Sequence, residues 1–157
     1  MAESTFDDKG QKVVWAAAVT QVDTTAKEVI GSTRYHGVKV YRYLEYTAGS
    51  TGVAAADGVI VGYLAADRTK VTADVSTCDA TPIPAGMLVS APADGQFCWV
   101  QVKGPATVSQ AIASGSNGCP CKFSTDGALS IQTAVTLNNA AVASNASAKT
   151  VILTCPA

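Results

Sequence analysis

Charge is scarce in this chain. Only 15% of its residues are charged, and 11 Lys and Arg against 12 Asp and Glu leave a formal net charge of -1. A chain so balanced has no field with which to gather phosphates or an anionic lipid surface, so neither nucleic acid nor membrane is expected as a partner. Long apolar runs are missing too: nothing approaches the roughly 18 residues that a membrane-spanning helix needs. The start, MAESTFDDKGQK, is polar and acidic where a secretory signal would need a basic and then an apolar region, so synthesis in a cytoplasm is expected. Without a secretory route, the Asn145-Ala146-Ser147 acceptor pattern reads as chance.

Catalytic groups are equally sparse. The one histidine, His36, lies beside Gly37 in an alternating stretch, with no nucleophile near it in sequence. No G-x-S-x-G, phosphate-loop or H-E-x-x-H string occurs, and Asp7-Asp8, the paired carboxylates, sit in a stretch with little to bury. Asp57, Asp94 and Asp126 each precede a glycine or open a turn, and turn chemistry accounts for them. No enzyme and no cofactor are expected; a reactive cysteine would lack a partner base. Cys119-Pro120-Cys121 has one intervening residue where structural zinc sites want two to four, so a metal is not expected either. Either member could meet Cys78 or Cys155 in a disulfide, yet the odd count of five leaves one thiol over. In a reducing compartment these cysteines read as small buried apolar side chains.

What the chain does have is β pattern. Hydrophobic residues make up 48%, mostly Ala and Val. From Pro92 to Ala106, PADGQFCWVQVKGPA, the Asp94-Gly95 turn opens a strand and Gly104-Pro105 is expected to end it. Phe97, Trp99 and Gln101 alternate with Cys98, Val100 and Val102, and both faces are largely apolar, which predicts a strand held between two layers. Arg34 to Tyr46, RYHGVKVYRYLEY, alternates as one strand, with Val38, Val40, Leu44 and Tyr46 facing one way and Tyr35, Lys39, Tyr41, Tyr43 and Glu45 the other. That second face is either a solvent face shielded by tyrosines or a partner-binding stripe carried by Tyr35, Tyr41 and Tyr43. Further strands are expected at Lys12–Val19, Val59–Leu64, Thr69–Val75, Met87–Ser90, Cys121–Ser124, Leu129–Leu137 and Thr150–Thr154, with a bend at Pro82, Pro84 and Gly86. Glu28 to Gly31 reads as a short extended piece. No helical periodicity and no repeat appear. The fold expected is all-β, a jelly-roll-like sandwich or barrel over residues 12–157, with a flexible arm at 1–11 that would order on a partner. From Gly127 onward the only charged side chain is Lys149, which suits either a plain Ala/Ser/Thr-rich edge region or a surface buried on a partner shell or between copies.

The strings VKVYRYLEYTAGSTGVAAADGVIVG and TPIPAGMLVSAPADGQFCWVQVKGPA, the Ser/Asn/Gly/Cys loop after them and the tail ending KTVILT resemble the small all-β head decoration, or cement, proteins of tailed bacteriophages. In that family an aromatic strand leads into Ala-Gly turns, and a Gly-aromatic-x-Trp-Val-Gln strand ends in glycine. The likeness covers about residues 28 to 155. It implies a structural protein on the outside of the virion, made in the host cytoplasm, that binds the major capsid protein, associates with itself as a dimer or trimer and carries no catalytic residues. A different class, a carbohydrate-binding or adhesin-like sandwich, would use Trp15, Trp99 or the tyrosines to stack on sugar rings.

Overall fold

The computed structural model describes residues 5–6, 12–13, 18–50, 53–112, 115–132 and 139–156. Their elements are β1 (Thr5–Phe6), β2 (Lys12–Val13), β3 (Val22–Asp23), β4 (Thr33–His36), β5 (Lys39–Tyr46), β6 (Ile60–Tyr63), β7 (Lys70–Thr72), a 3-10 turn (Val75–Thr77), β8 (Pro84–Leu88), β9 (Phe97–Thr107), β10 (Pro120–Thr125), β11 (Ala128–Ile131), β12 (Asn139–Asn145) and β13 (Thr150–Thr154). Among the described residues there is no α-helix, and the fold is all-β. Most of the arm expected at 1–11 lies outside the described residues; Thr5 and Phe6 pair antiparallel with Val13 and Lys12.

Five strands close on themselves. β5 pairs with β7, β7 with β6, β6 with β8, β8 with β9, and β9 returns to β5 over six residue pairs from Val40↔Lys103 to Glu45↔Phe97. Only β5 and β7 run parallel, and Lys70 Nζ bridges to Glu45 Oε1 at 2.9 Å beside that junction. Leu44, Tyr46, Val61, Tyr63, Val71, Leu88, Cys98 and Val100, drawn from all five strands, fill the lumen. With no side chain charged and each nearly or fully buried, this layer is a core of the kind in which a whole Leu, Val or Phe contributes about 1.5–3 kcal/mol.

A second sheet grows from the same wall. β13 pairs with the far half of β9, Thr150↔Thr107 through Thr154↔Lys103, and β12, β10 and β11 follow in order. Its inner face packs Phe123, Leu129, Ala141, Val151 and Leu153 against Ile60 and Met87 on the outside of the barrel. The charge-poor tail is therefore core-forming within the chain itself: Ala140, Ala141, Ala143 and Val151 are all fully buried.

Several sequence expectations are corrected. Gly104-Pro105 does not end β9; Gly104 takes φ 97, a Cβ there would lie 2.6 Å from Val38 O, and the strand bends and continues to Thr107. Gln101, fully buried, follows the bend with its amide, donating from Nε2 to Pro105 O at 3.0 Å and more loosely to Lys103 O and Gly104 O. The run Arg34–Tyr46 is two strands, folded back at Gly37-Val38 where Gly37 adopts φ 60 as a two-residue hairpin loop requires. Pro84 is the first residue of a strand, where its missing N–H costs least, and Glu28–Gly31 is a turn. Val75 lies in the 3-10 turn, capped by Asp74, which accepts from Ser76 N. Residues 133–138 and 14–17 of the expected strands lie outside the described residues.

The two-sided burial expected of the Trp99 strand is met: Cys98 and Val100 face the lumen while Trp99 packs with Tyr41 and Tyr43 on the opposite face. Trp99 is 2% exposed. Trp99→Ala should therefore cost about 3–5 kcal/mol of stability. Chemical denaturation reads this directly, and an unchanged midpoint would contradict the assignment of Trp99 to the core.

Candidate interaction surface

The outer face of β5 and β9 carries an aromatic layer. Tyr43 and Trp99 rings lie 5.1 Å apart in a tilted pair, and Tyr43 stacks on Phe97 at 6.1 Å. Residues 18–32 cross this layer as a strap, and β3 pairs Val22 and Asp23 with Cys98 and Phe97. Burying a phenol requires a partner for its hydroxyl. Tyr43 Oη donates to Asp23 Oδ2 at 2.7 Å and accepts from Lys27 N at 3.2 Å, while Gln21 Nε2 donates to Asp23 Oδ1 at 3.0 Å. The carboxylate of Asp23, a residue 7% exposed, is thus hydrogen-bonded on both oxygens. Arg34 completes the latch, with its guanidinium 4.2 Å from the Trp99 ring centre and Nη2 donating to Glu28 Oε1 at 2.7 Å.

This arrangement decides which of the expected contact residues can meet a partner. Tyr41 and Tyr43 are buried beneath the strap and cannot form a stripe with Tyr35 in this state; only Tyr35 is open to solvent, at 79%. The two buried tyrosines act as platform rather than contact. The sequence did not single out Val29, Ile30 and Val38 for contact, yet these are exposed as well, Val29 and Val38 by more than three quarters. Four of the five exposed large hydrophobics among the described residues thus fall within 29–38, the fifth being Ile152. The signal that could have found them is the apolar pair Val29-Ile30 set between Glu28 and Gly31, too short to be a strand and too apolar for a turn of ordinary composition.

The chemistry available elsewhere is limited. All five cysteines are free thiols, and Cys98, Cys121 and Cys155 are buried. Burial pushes the Cys98 and Cys155 thiols up to about 12, and burial with nearby Asp74 raises Cys78 to about 11, the reverse of what a nucleophile needs. Among the described residues no group of three or more His, Cys, Asp and Glu could hold a metal ion. A groove of about 610 Å³, lined by Cys78, Asp79, Lys122, Phe123 and Ser124 among others, is open to solvent, and Asp79 in its lining pairs with Arg68. His36 stands exposed on the β4–β5 hairpin. No protein-family model matches the chain, and no curated protein matches it.

The buried phenols and thiols make one property of the domain measurable. Tyr43 is pushed up to about 12, chiefly by burial, and burial likewise raises Tyr41, Tyr46 and Tyr63. These groups hold their protons more tightly folded than unfolded, so the stability tied to them is complete below the unfolded values, about 8.5 for thiols and 10 for phenols. It is lost as pH climbs through the folded values. Urea midpoints should hold steady up to about pH 8 and then fall progressively toward about pH 12; a flat profile across that range would contradict the burial of these groups.

Proposed function

We propose that this protein is a head decoration protein of a tailed bacteriophage. It sits on the exterior of the virion, clamps neighbouring major capsid subunits as a homo-oligomer and turns over no substrate. The observation that carries the reading is that four of the five exposed large hydrophobics among the described residues, Val29, Ile30, Tyr35 and Val38, fall within the ten-residue stretch 29–38 around β4. Exposed apolar groups gathered in one place mark a contact surface rather than scatter. A net charge of -1 adds little repulsion when many copies crowd together. Sequence likeness to phage cement proteins over about residues 28 to 155 supports the same reading.

A lattice of repeated sites makes modest contacts sufficient, because each copy that touches two or more neighbours binds with the combined strength of its contacts. The sugar-binding alternative is less well served. Trp99 is buried, and among the described residues whose burial is shown Tyr35 is the one exposed aromatic side chain; Trp15 lies outside the described residues.

Binding only to assembled shells must stabilise them by linkage. Particles carrying the protein should release DNA at a higher temperature than particles lacking it, and added protein should restore the difference. Coincident release curves, or no binding of the purified protein to bare shells, would contradict the proposal.

A further inference from the structure

The loop between β9 and β10 holds Asn117-Gly118, the one Asn-Gly pair in the chain. A glycine after asparagine has a chemical consequence: with no Cβ in the way, its main-chain nitrogen can reach the asparagine side chain unhindered. The site is open here. Asn117 and Gly118 are both exposed, Gly118 takes φ 79, and a Cβ added to it would meet no atom within 4 Å. Water and base therefore have access to the pair.

Two hydrogen bonds nevertheless hold both reacting groups. Gly118 N donates to Ala143 O at 2.7 Å, and Asn117 Oδ1 accepts from Ala146 N at 3.0 Å. Both partners belong to the β12–β13 hairpin, Ala143 on β12 and Ala146 in the turn after it. That turn is itself fixed. Ala148 N donates to Asn145 Oδ1 at 3.0 Å, and Lys149 Nζ donates to Ser109 O at 3.0 Å, back on the segment that leaves β9. The nitrogen that would attack thus has its proton engaged, and the carbonyl that would be attacked is tied to a different part of the sheet.

We propose that Asn117 is a deamidation site kept latent by this clamp, so that its modification records the opening of the β9–β10 loop from the β12–β13 hairpin. When the loop lifts, solvent base removes the Gly118 amide proton and the nitrogen attacks Asn117 Cγ. A C–N bond forms there, the bond from Cγ to the side-chain nitrogen breaks, and that nitrogen takes up a proton from solvent and leaves as ammonia. Water then opens the cyclic imide at either carbonyl, giving aspartate or isoaspartate at position 117. The two products differ in consequence. Aspartate keeps an oxygen that can accept from Ala146 N, so the clamp can close again. Isoaspartate routes the main chain through the former side chain, which adds a methylene ahead of Gly118 and moves its nitrogen away from Ala143 O, leaving the loop unclamped.

The test needs only the free full-length chain and is independent of what the domain binds. Folded and urea-unfolded protein are held at mildly alkaline pH, and the tryptic peptide 104–122 is followed by mass spectrometry, with isoaspartate identified by enzymatic methyl transfer. The unfolded chain should deamidate at Asn117 ahead of Asn138, Asn139 and Asn145. The folded chain should do so about tenfold to a hundredfold more slowly, because reaction waits for two hydrogen bonds to open. As sub-denaturing urea is raised, hydrogen exchange at the Gly118 amide and deamidation at Asn117 should accelerate together. Ala146→Pro, which removes the N–H that holds Asn117 Oδ1, should raise the folded-state rate several-fold; should that variant fail to fold, the urea series on the unsubstituted chain decides. Equal rates in folded and unfolded protein, another asparagine reacting first in the unfolded chain, a rate indifferent to Gly118 exchange, or a folded Ala146→Pro variant with unchanged rate would overturn the proposal.

Discussion

Everything in this fold hangs on β9. Its first half closes the barrel against β5, its second half seeds the outer sheet through β13, and its outward face at Trp99 is the floor on which the strap lies. No other strand has neighbours in all three layers. A strand asked to do this must be apolar on both faces and must also change direction, and the sequence meets both demands: Cys98, Val100 and Val102 face one way, Phe97, Trp99 and Gln101 the other, and Gly104-Pro105 bends the chain between the two sheets. The bend disturbs the regular ladder, and the buried amide of Gln101 supplies donors to the carbonyls there. A fully buried glutamine is uncommon, and its position just ahead of the bend gives it a physical reason.

The strap shows how a small polar network fixes what is presented to solvent. Tyr41, Tyr43 and Trp99 would be an exposed aromatic face if residues 18–32 lay elsewhere. Asp23, Lys27 and Gln21 hold the strap down through the Tyr43 hydroxyl and the Asp23 carboxylate, and Arg34 ties the edge strand to the same platform. Beyond the strap, the Val29–Ser32 turn and the Gly37-Val38 hairpin loop leave Val29 and Val38 exposed among the described residues.

Much of the architecture was legible because alternation survives where one face is buried. The all-β class, the Trp99 strand with its two apolar faces, the strand at Thr150–Thr154 and the turns at Asp94-Gly95 and Asp126-Gly127 all follow from local pattern. β12, NAAVASN, was not legible, since alanines and asparagines carry little strand preference and its place is set by packing between β10 and β13. The contact residues were legible only in part. A period of two assigns Tyr35, Tyr41 and Tyr43 to one face but cannot see that the chain reverses at Gly37, nor that a strap from earlier in the sequence covers Tyr41 and Tyr43. Long-range covering of this kind leaves no trace in local composition.

A single strand, β9, unites barrel and outer sheet into one cooperative unit, while β4 pairs on one side only among the described residues. Native-state hydrogen exchange on the free protein tests this most directly. The β9 amides from Cys98 to Gly104 and those of β13 should share the slowest, global opening, whereas the outward amides of Thr33 and Tyr35 should exchange rapidly at low protein concentration. Exchange of the β10–β13 sheet well ahead of a still-protected barrel, or strong protection of Thr33 and Tyr35 in the dilute free chain, would contradict it.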